Sequence, residues 1–327
     1  MDNDGFVATK KTVAGGEIEE IIDEVEKRYR RFRKFERVSY PPADHHFVGT
    51  GIRRNGEQPA TEKKIIEEWD MLNTNLPDWI YVRAYESRIN LMRAVIIGPP
   101  GTPYSQGLFF FDIFFPRTYP ARPPKLFYHS HGFDFTSHSP RKVSSSSSLV
   151  DSWYGLHLMP VRGGGGRGYE CQPRKNWGPP KSNILFLLVS IRDWFLNIAK
   201  PCGDYDNDGL VEPRRRRTLM MLGCEAMIQT LAKPPWDFED FVAGHFRNKA
   251  HAILVNFMAH MDQTEDMSRL FLKLLNVFEA NGTYCQHHYL AHLKKQPKAK
   301  TVSYEDDDDE EPNRFAMTWF NMTKYRF

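Results

Sequence analysis

Four cysteines, Cys171, Cys202, Cys224 and Cys285, are the residues of this chain best suited to nucleophilic or metal chemistry. They form no Cys-x-x-Cys pair and are far too sparse for a disulfide scaffold. Cys224 sits in an apolar stretch of helical pattern and reads as core. Cys202 follows Lys200-Pro201 and reads as loop. Two histidine pairs, His45-His46 and His287-His288, are of the right type for metal ligation. Neither has an acidic or cysteine cluster beside it, so no metal and no cofactor is expected. Arg214-Arg215-Arg216-Arg217 could meet nucleic acid, but four arginines at this place read as the solvated start of a helix.

These groups sit in a chain of 327 residues, 41% hydrophobic and 13% aromatic, enough to bury a substantial core. The net charge of +3 conceals an acidic run from Glu305 to Glu311, without whose seven charges the rest would carry +10. That run reads as a solvated tail. The polar Met1–Gly16 stretch has no apolar segment of signal-peptide type. No apolar run reaches the length of a membrane span; Leu108–Phe115 is too short and contains Asp112. Few, unpaired cysteines make a reducing compartment, cytoplasmic or nuclear, the default expectation.

Several elements must position any site. Ile18, Ile21, Ile22 and Val25 fall at helical spacing within Glu17–Phe35, and Gly49–Pro59 reads as a linker. A helix is expected from Thr61, taken as its N-cap, with Ile65, Trp69 and Leu72 as its buried stripe. Strands are expected at Ile80–Tyr85, Leu91–Ile97, Leu108–Phe115 and Lys125–Tyr128, with a turn over Gly98–Pro103 and a Pro-rich bend over Pro116–Pro124. Residues 129–181 look irregular, and 137–175 and 297–315 are expected to be the most mobile. Helical pattern returns at Ile184–Leu196 behind a Ser182 cap, then at Thr218–Ala232 and Phe238–Met261. The order predicts an α+β fold with a four-stranded antiparallel meander and N-terminal, central and C-terminal helices.

The middle of the chain resembles the ubiquitin-conjugating enzymes. The resemblance rests on Trp69 and Leu76-Pro77, on Tyr104–Pro124 with its Tyr-Pro-x-x-Pro-Pro bend, on Asn176-Trp177-Gly178-Pro179, and on the helix Ser182–Ile191. Within that family it is most similar to the large enzymes of the plant phosphate-response type. The matching segments there are Phe35-Glu36-Arg37-Val38, Asp44-His45-His46-Phe47, Ala84–Arg88, Leu91–Gly98 and Gly244-His245-Phe246-Arg247. The implied layout is an N-terminal extension and linker over 1–59, a conjugating core over 60–262, and a helical segment with an acidic tail over 263–327.

The resemblance also implies where the chemistry belongs. Family members carry a cysteine in a Gly-(Lys/Ser)-(Val/Ile)-Cys-Leu segment, which accepts ubiquitin from an activating enzyme as a thioester and passes it to a lysine. This chain reads Arg141-Lys142-Val143-Ser144, so Ser144 stands at the cysteine's position and no cysteine precedes Cys171. A supporting asparagine about eight residues upstream is replaced within Asp134-Phe135-Thr136-Ser137-His138-Ser139, and no asparagine lies between Asn90 and Asn176. An oxyanion donor of that kind is worth roughly 10²–10³-fold in rate. A serine hydroxyl needs an adjacent base, and none is evident beside Ser144. Cys171 is a candidate relocated nucleophile: Arg167 and Arg174 would lower its pKa, Glu170 would oppose them.

Two functions follow as expectations. One is a conjugating-enzyme-like protein of the ubiquitin pathway, impaired in catalysis by Ser144. The other is an active conjugating enzyme. Ubiquitin, an activating enzyme and ligases are the implied partners, with neither a membrane nor nucleic acid among them. Ligase docking is expected to be weakened, because Ala121 follows the Tyr-Pro of the bend where many relatives place a bulky apolar residue. The lost contact amounts to about 1–2 kcal/mol.

Overall fold

The computed structural model describes residues 23–50, 59–129, 131, 133–134, 141–142, 183–196, 213–261 and 264–295. Apart from Arg141–Lys142, which form a strand, the expected mobile stretches lie outside them, as do Trp177 and the helical stripe Ile18, Ile21 and Ile22.

A central sheet of five strands runs in the order β1 (Phe35–Val38), β2 (Ile80–Tyr85), β3 (Leu91–Ile97), β4 (Leu108–Phe114), β5 (Lys125–Tyr128). Strands β2 to β5 form the expected antiparallel meander. The fifth strand comes from the segment read as an extension: β1 pairs with β2 in parallel, Phe35 opposite Val82. Strand alternation then sorts the side chains into two faces. Phe35, Val82, Ala94, Phe111 and Tyr128 are successive register partners across all five strands, and all belong to one apolar cluster. The next row, Glu36, Arg83, Arg93, Asp112 and Phe127, faces the other way.

Helix α2 (Pro59–Asn75) lays Ile65, Trp69 and Leu72 on the first face, all essentially buried. Helix α3 (Ile184–Ser190) adds Ile184, Leu187 and Leu188 and continues as a wider π turn over Ile191–Leu196. The opposite face is covered as well. Val95, Leu108 and Phe110 pack against α4 (Pro213–Ala232), α5 (Glu239–His260) and α6 (Glu265–Ala280). Burial on both faces explains why β3 and β4 read as nearly continuous apolar runs rather than alternating ones. Two further helices frame the molecule: α1 (Glu24–Arg31), capped by Asp23, and α7 (Gln286–Lys295).

Two expected helix caps are not used, and the helix expected from Thr218 starts earlier, at Pro213. Thr61 does not cap α2, which begins at Pro59; its hydroxyl donates to the carbonyls of Arg117 and Tyr119 instead. For α3 the cap is Asn183, whose side chain accepts from the Phe186 N–H at 2.8 Å. The four-arginine run is the start of α4, and Arg216 reaches back to the Gly101 carbonyl at 2.8 Å. In the turn expected over Gly98–Pro103, Gly101 adopts a left-handed conformation at φ +75°.

Candidate active site

The bend after β4 is built from three directions. Tyr119 precedes a cis peptide to Pro120 and packs edge-on against Phe115, ring centroids 4.8 Å apart. Its hydroxyl donates to Glu68 Oε1 on α2 at 2.7 Å. The second Glu68 oxygen accepts the Ile184 N–H at 3.1 Å, where the first turn of α3 presents unpaired donors. Burial and the Glu68 contact both drive the Tyr119 hydroxyl pKa up, so it stays a donor. One buried carboxyl group thus joins α2, the bend and α3. Ala121, at the expected ligase-docking position, is exposed beyond this brace.

Past β5 the backbone forms a short antiparallel ribbon, β6 (Phe133–Asp134) with β7 (Arg141–Lys142). Phe133 pairs with Lys142 and Asp134 with Arg141. Val143-Ser144 follows directly in sequence, so the position implied for the family cysteine comes two residues after this ribbon. Ser144, Cys171, Cys202 and the stretch Phe135–Ser139 lie outside the described residues.

The other two cysteines can be judged directly. Cys224 on α4 is buried among Met220, Met227 and Phe110, and burial pushes its thiol up to about 12. Cys285, before α7, is likewise buried and pushed up to about 11. A thiol so poorly ionised at neutral pH, and shut away from solvent, has the character of a core residue.

Two motifs singled out by resemblance prove to be braces. Asp112 lies opposite Arg93 in the register, and both side chains are fully buried. Arg93 grips the carboxylate with two nitrogens, Nε at 2.6 Å and a terminal one at 3.1 Å. Burial alone would push the Asp112 carboxyl up, but hydrogen bonds from His129 and Arg93 outweigh it and hold it well below the usual carboxylate range. The Asp44–Phe47 segment docks on this pair. Asp44 bonds Arg93 at 2.9 Å, the His46 N–H donates to Asp112 at 2.7 Å, and the His46 ring stacks on Phe127 at 3.8 Å. His45 donates from Nε2 to the Met92 carbonyl at 3.1 Å, while its Nδ1 accepts the Phe47 N–H at 3.2 Å. Both ring nitrogens are engaged in packing. The sequence signal for this brace was one acid and one arginine facing each other in two apolar strands, since neither is tolerated in a core without a partner.

Gly244-His245-Phe246-Arg247 on α5 works similarly. A Cβ on Gly244 would collide with the Tyr29 side chain, so glycine is what lets α1 approach α5. His245 donates to the Gln106 carbonyl at 2.9 Å, and Phe246 is buried in the second cluster. Arg247 bonds the Asn281 carbonyl at 2.9 Å and pairs with Asp23, the α1 cap.

With this geometry established, the chain's relatives can be placed. The ubiquitin-conjugating enzyme family model matches residues 64–135, ending before Arg141-Lys142-Val143-Ser144. Three Arabidopsis thaliana proteins that carry names of ubiquitin-conjugating enzymes are similar to most of the chain. E2 23 is 35% identical over 275 residues, 80% of this chain but 23% of that protein. E2 38 is 36% identical over 238 residues, 70% of this chain and 68% of that protein. E2 39 is 35% identical over 249 residues, 72% of each. The chain therefore spans about a quarter of the first relative's length and about seven tenths of the other two. Similarity of this extent, on a meander braced by α2 and α3, means that the chain belongs to the ubiquitin-conjugating enzyme family.

Proposed function

We propose that this chain serves the ubiquitin transfer pathway as a conjugating-enzyme-like protein that binds pathway partners without itself carrying ubiquitin as a thioester. The observation that carries the reading is Arg141-Lys142-Val143-Ser144, a serine where the family has its cysteine, with no asparagine between Asn90 and Asn176. Oxygen does not replace sulfur here. A serine hydroxyl is almost fully protonated at neutral pH and needs a neighbouring base before it attacks. The buried, protonated state of Cys224 and Cys285 supports the reading, because it removes two of the four thiols from consideration. The partners proposed are ubiquitin, the activating enzyme and ligases, with ligase contact weakened at exposed Ala121. The compartment proposed is cytoplasmic or nuclear, where unpaired thiols stay reduced.

The test is a charging assay with activating enzyme, ubiquitin and ATP, resolved with and without reducing agent. The expected outcome is no reducible adduct on the wild-type chain. An adduct that vanishes under reduction and in Cys171→Ala would establish the alternative, an active enzyme with a relocated nucleophile.

A further inference from the structure

Where α7 meets α5, three histidines converge. His251 comes from the middle of α5, and His287 and His288 from the first turn of α7. One ring nitrogen of each lies within 4.8 Å of the other two. His251 Nδ1 and His288 Nε2 are 3.0 Å apart. The rings are packed together, with centroids 5.1 Å apart for His251 and His287, 5.3 Å for His251 and His288, and 4.0 Å for His287 and His288. His288 is buried, whereas His251 and His287 are exposed.

We propose that His251, His287 and His288 form a three-histidine zinc site that clamps α7 onto α5. Imidazole nitrogens at about 2.0–2.1 Å from a tetrahedral zinc lie roughly 3.3 Å from one another. The His251–His288 pair already stands near that separation, and His287 reaches it by a modest side-chain adjustment at the surface. A shared proton between His251 and His288 would account for their contact alone. It gives no role to His287, whose side chain makes no hydrogen bond among the described residues. Exposure of His251 and His287 leaves a fourth coordination position toward solvent, open to water.

The backbone is ready for a clamp. Cys285 is buried just before α7, and its carbonyl accepts the His288 N–H at 2.9 Å, so the first turn that carries both ligands is held in place.

The test uses the full chain, stripped with a chelator and titrated with zinc chloride against a fluorescent zinc indicator. Amide exchange over 286–295 is followed in parallel. The wild-type chain is expected to bind one zinc that slows exchange across α7. His287→Gln and His251→Gln, both at exposed positions, are expected to weaken that equivalent more than ~10-fold and abolish the slowing, since even outer-shell changes cost ~10–100-fold. His260→Gln, exposed on the same helix, is expected to change neither. Zinc affinity unaltered in both cluster variants, or binding that leaves α7 exchange unchanged, would overturn the proposal.

Discussion

The hydroxyl of Tyr119 donates to the buried carboxyl group of Glu68 at 2.7 Å, and the other Glu68 oxygen holds the N–H that opens α3 at 3.1 Å. The pair therefore couples the Pro-rich bend to the helix behind the candidate site. Tyr119→Phe removes that donor and leaves the buried Oε1 to the more distant Lys64 Nζ at 3.7 Å. The expected loss is about 1–3 kcal/mol in urea unfolding, with ring packing against Phe115 retained. A variant as stable as wild type would show that the brace does not stabilise the fold.

The Arg93–Asp112 pair makes a sharper prediction. Asp112→Ala leaves the fully buried Arg93 guanidinium with the partly exposed Asp44 in place of its two-point buried partner and removes the acceptor of the His46 N–H. Breaking one side of a buried pair costs about 3–5 kcal/mol. Unfolding experiments are expected to show that loss, and limited proteolysis is expected to cut near residues 44–47 in the variant first. The double change Arg93→Met with Asp112→Leu is expected to recover much of the stability but not the docking of Asp44 and His46.

Acid sensitivity follows from His245. Burial lowers its pKa from 6.5 to about 4, against an opposing contribution from the Gln106 carbonyl. Between those two pH values the unfolded chain binds a proton that the folded chain refuses, so stability falls as pH drops from 6.5 to about 4. The full span corresponds to on the order of 3 kcal/mol from this residue. His45, lowered by burial in the same direction, adds to the slope. Urea midpoints measured across this range are expected to fall less steeply in His245→Gln than in wild type. Parallel slopes would mean that His245 is not the source.

Restoring the nucleophile is expected to be insufficient. Ser144→Cys supplies a thiol two residues beyond β7 in sequence, but a segment that departs from the family pattern at Ser144 and at the upstream asparagine is not expected to hold that thiol in a productive place. An error near 1 Å costs about 10²-fold in rate. Charging with activating enzyme and ubiquitin is expected to be weak at best. Adding an asparagine within Phe135–Ser139 is expected to help lysine transfer more than charging, because an oxyanion donor acts on the attack step. Full charging of the single variant would place the loop already in a productive geometry.

Periodicity by itself makes α2 legible: Ile65, Trp69 and Leu72 repeat at helical spacing, and they are the residues buried on the sheet. The meander is legible for the same reason, since β-formers and turn residues lie next to each other in the chain. The family and the serine at its reactive position are also readable, because motif order and residue identity are linear information. Tertiary structure alone decides the rest. Phe35–Val38 is short and half polar, and its parallel pairing with β2 depends on a partner 47 residues away, Phe35 with Val82, a contact no local pattern encodes. His45-His46 and His287-His288 are both adjacent histidine pairs, yet one is locked onto the Met92 carbonyl and Asp112 while the other meets His251. What separates them is the company that long-range packing brings to each ring: burial and acceptors in the first case, other nitrogen donors in the second.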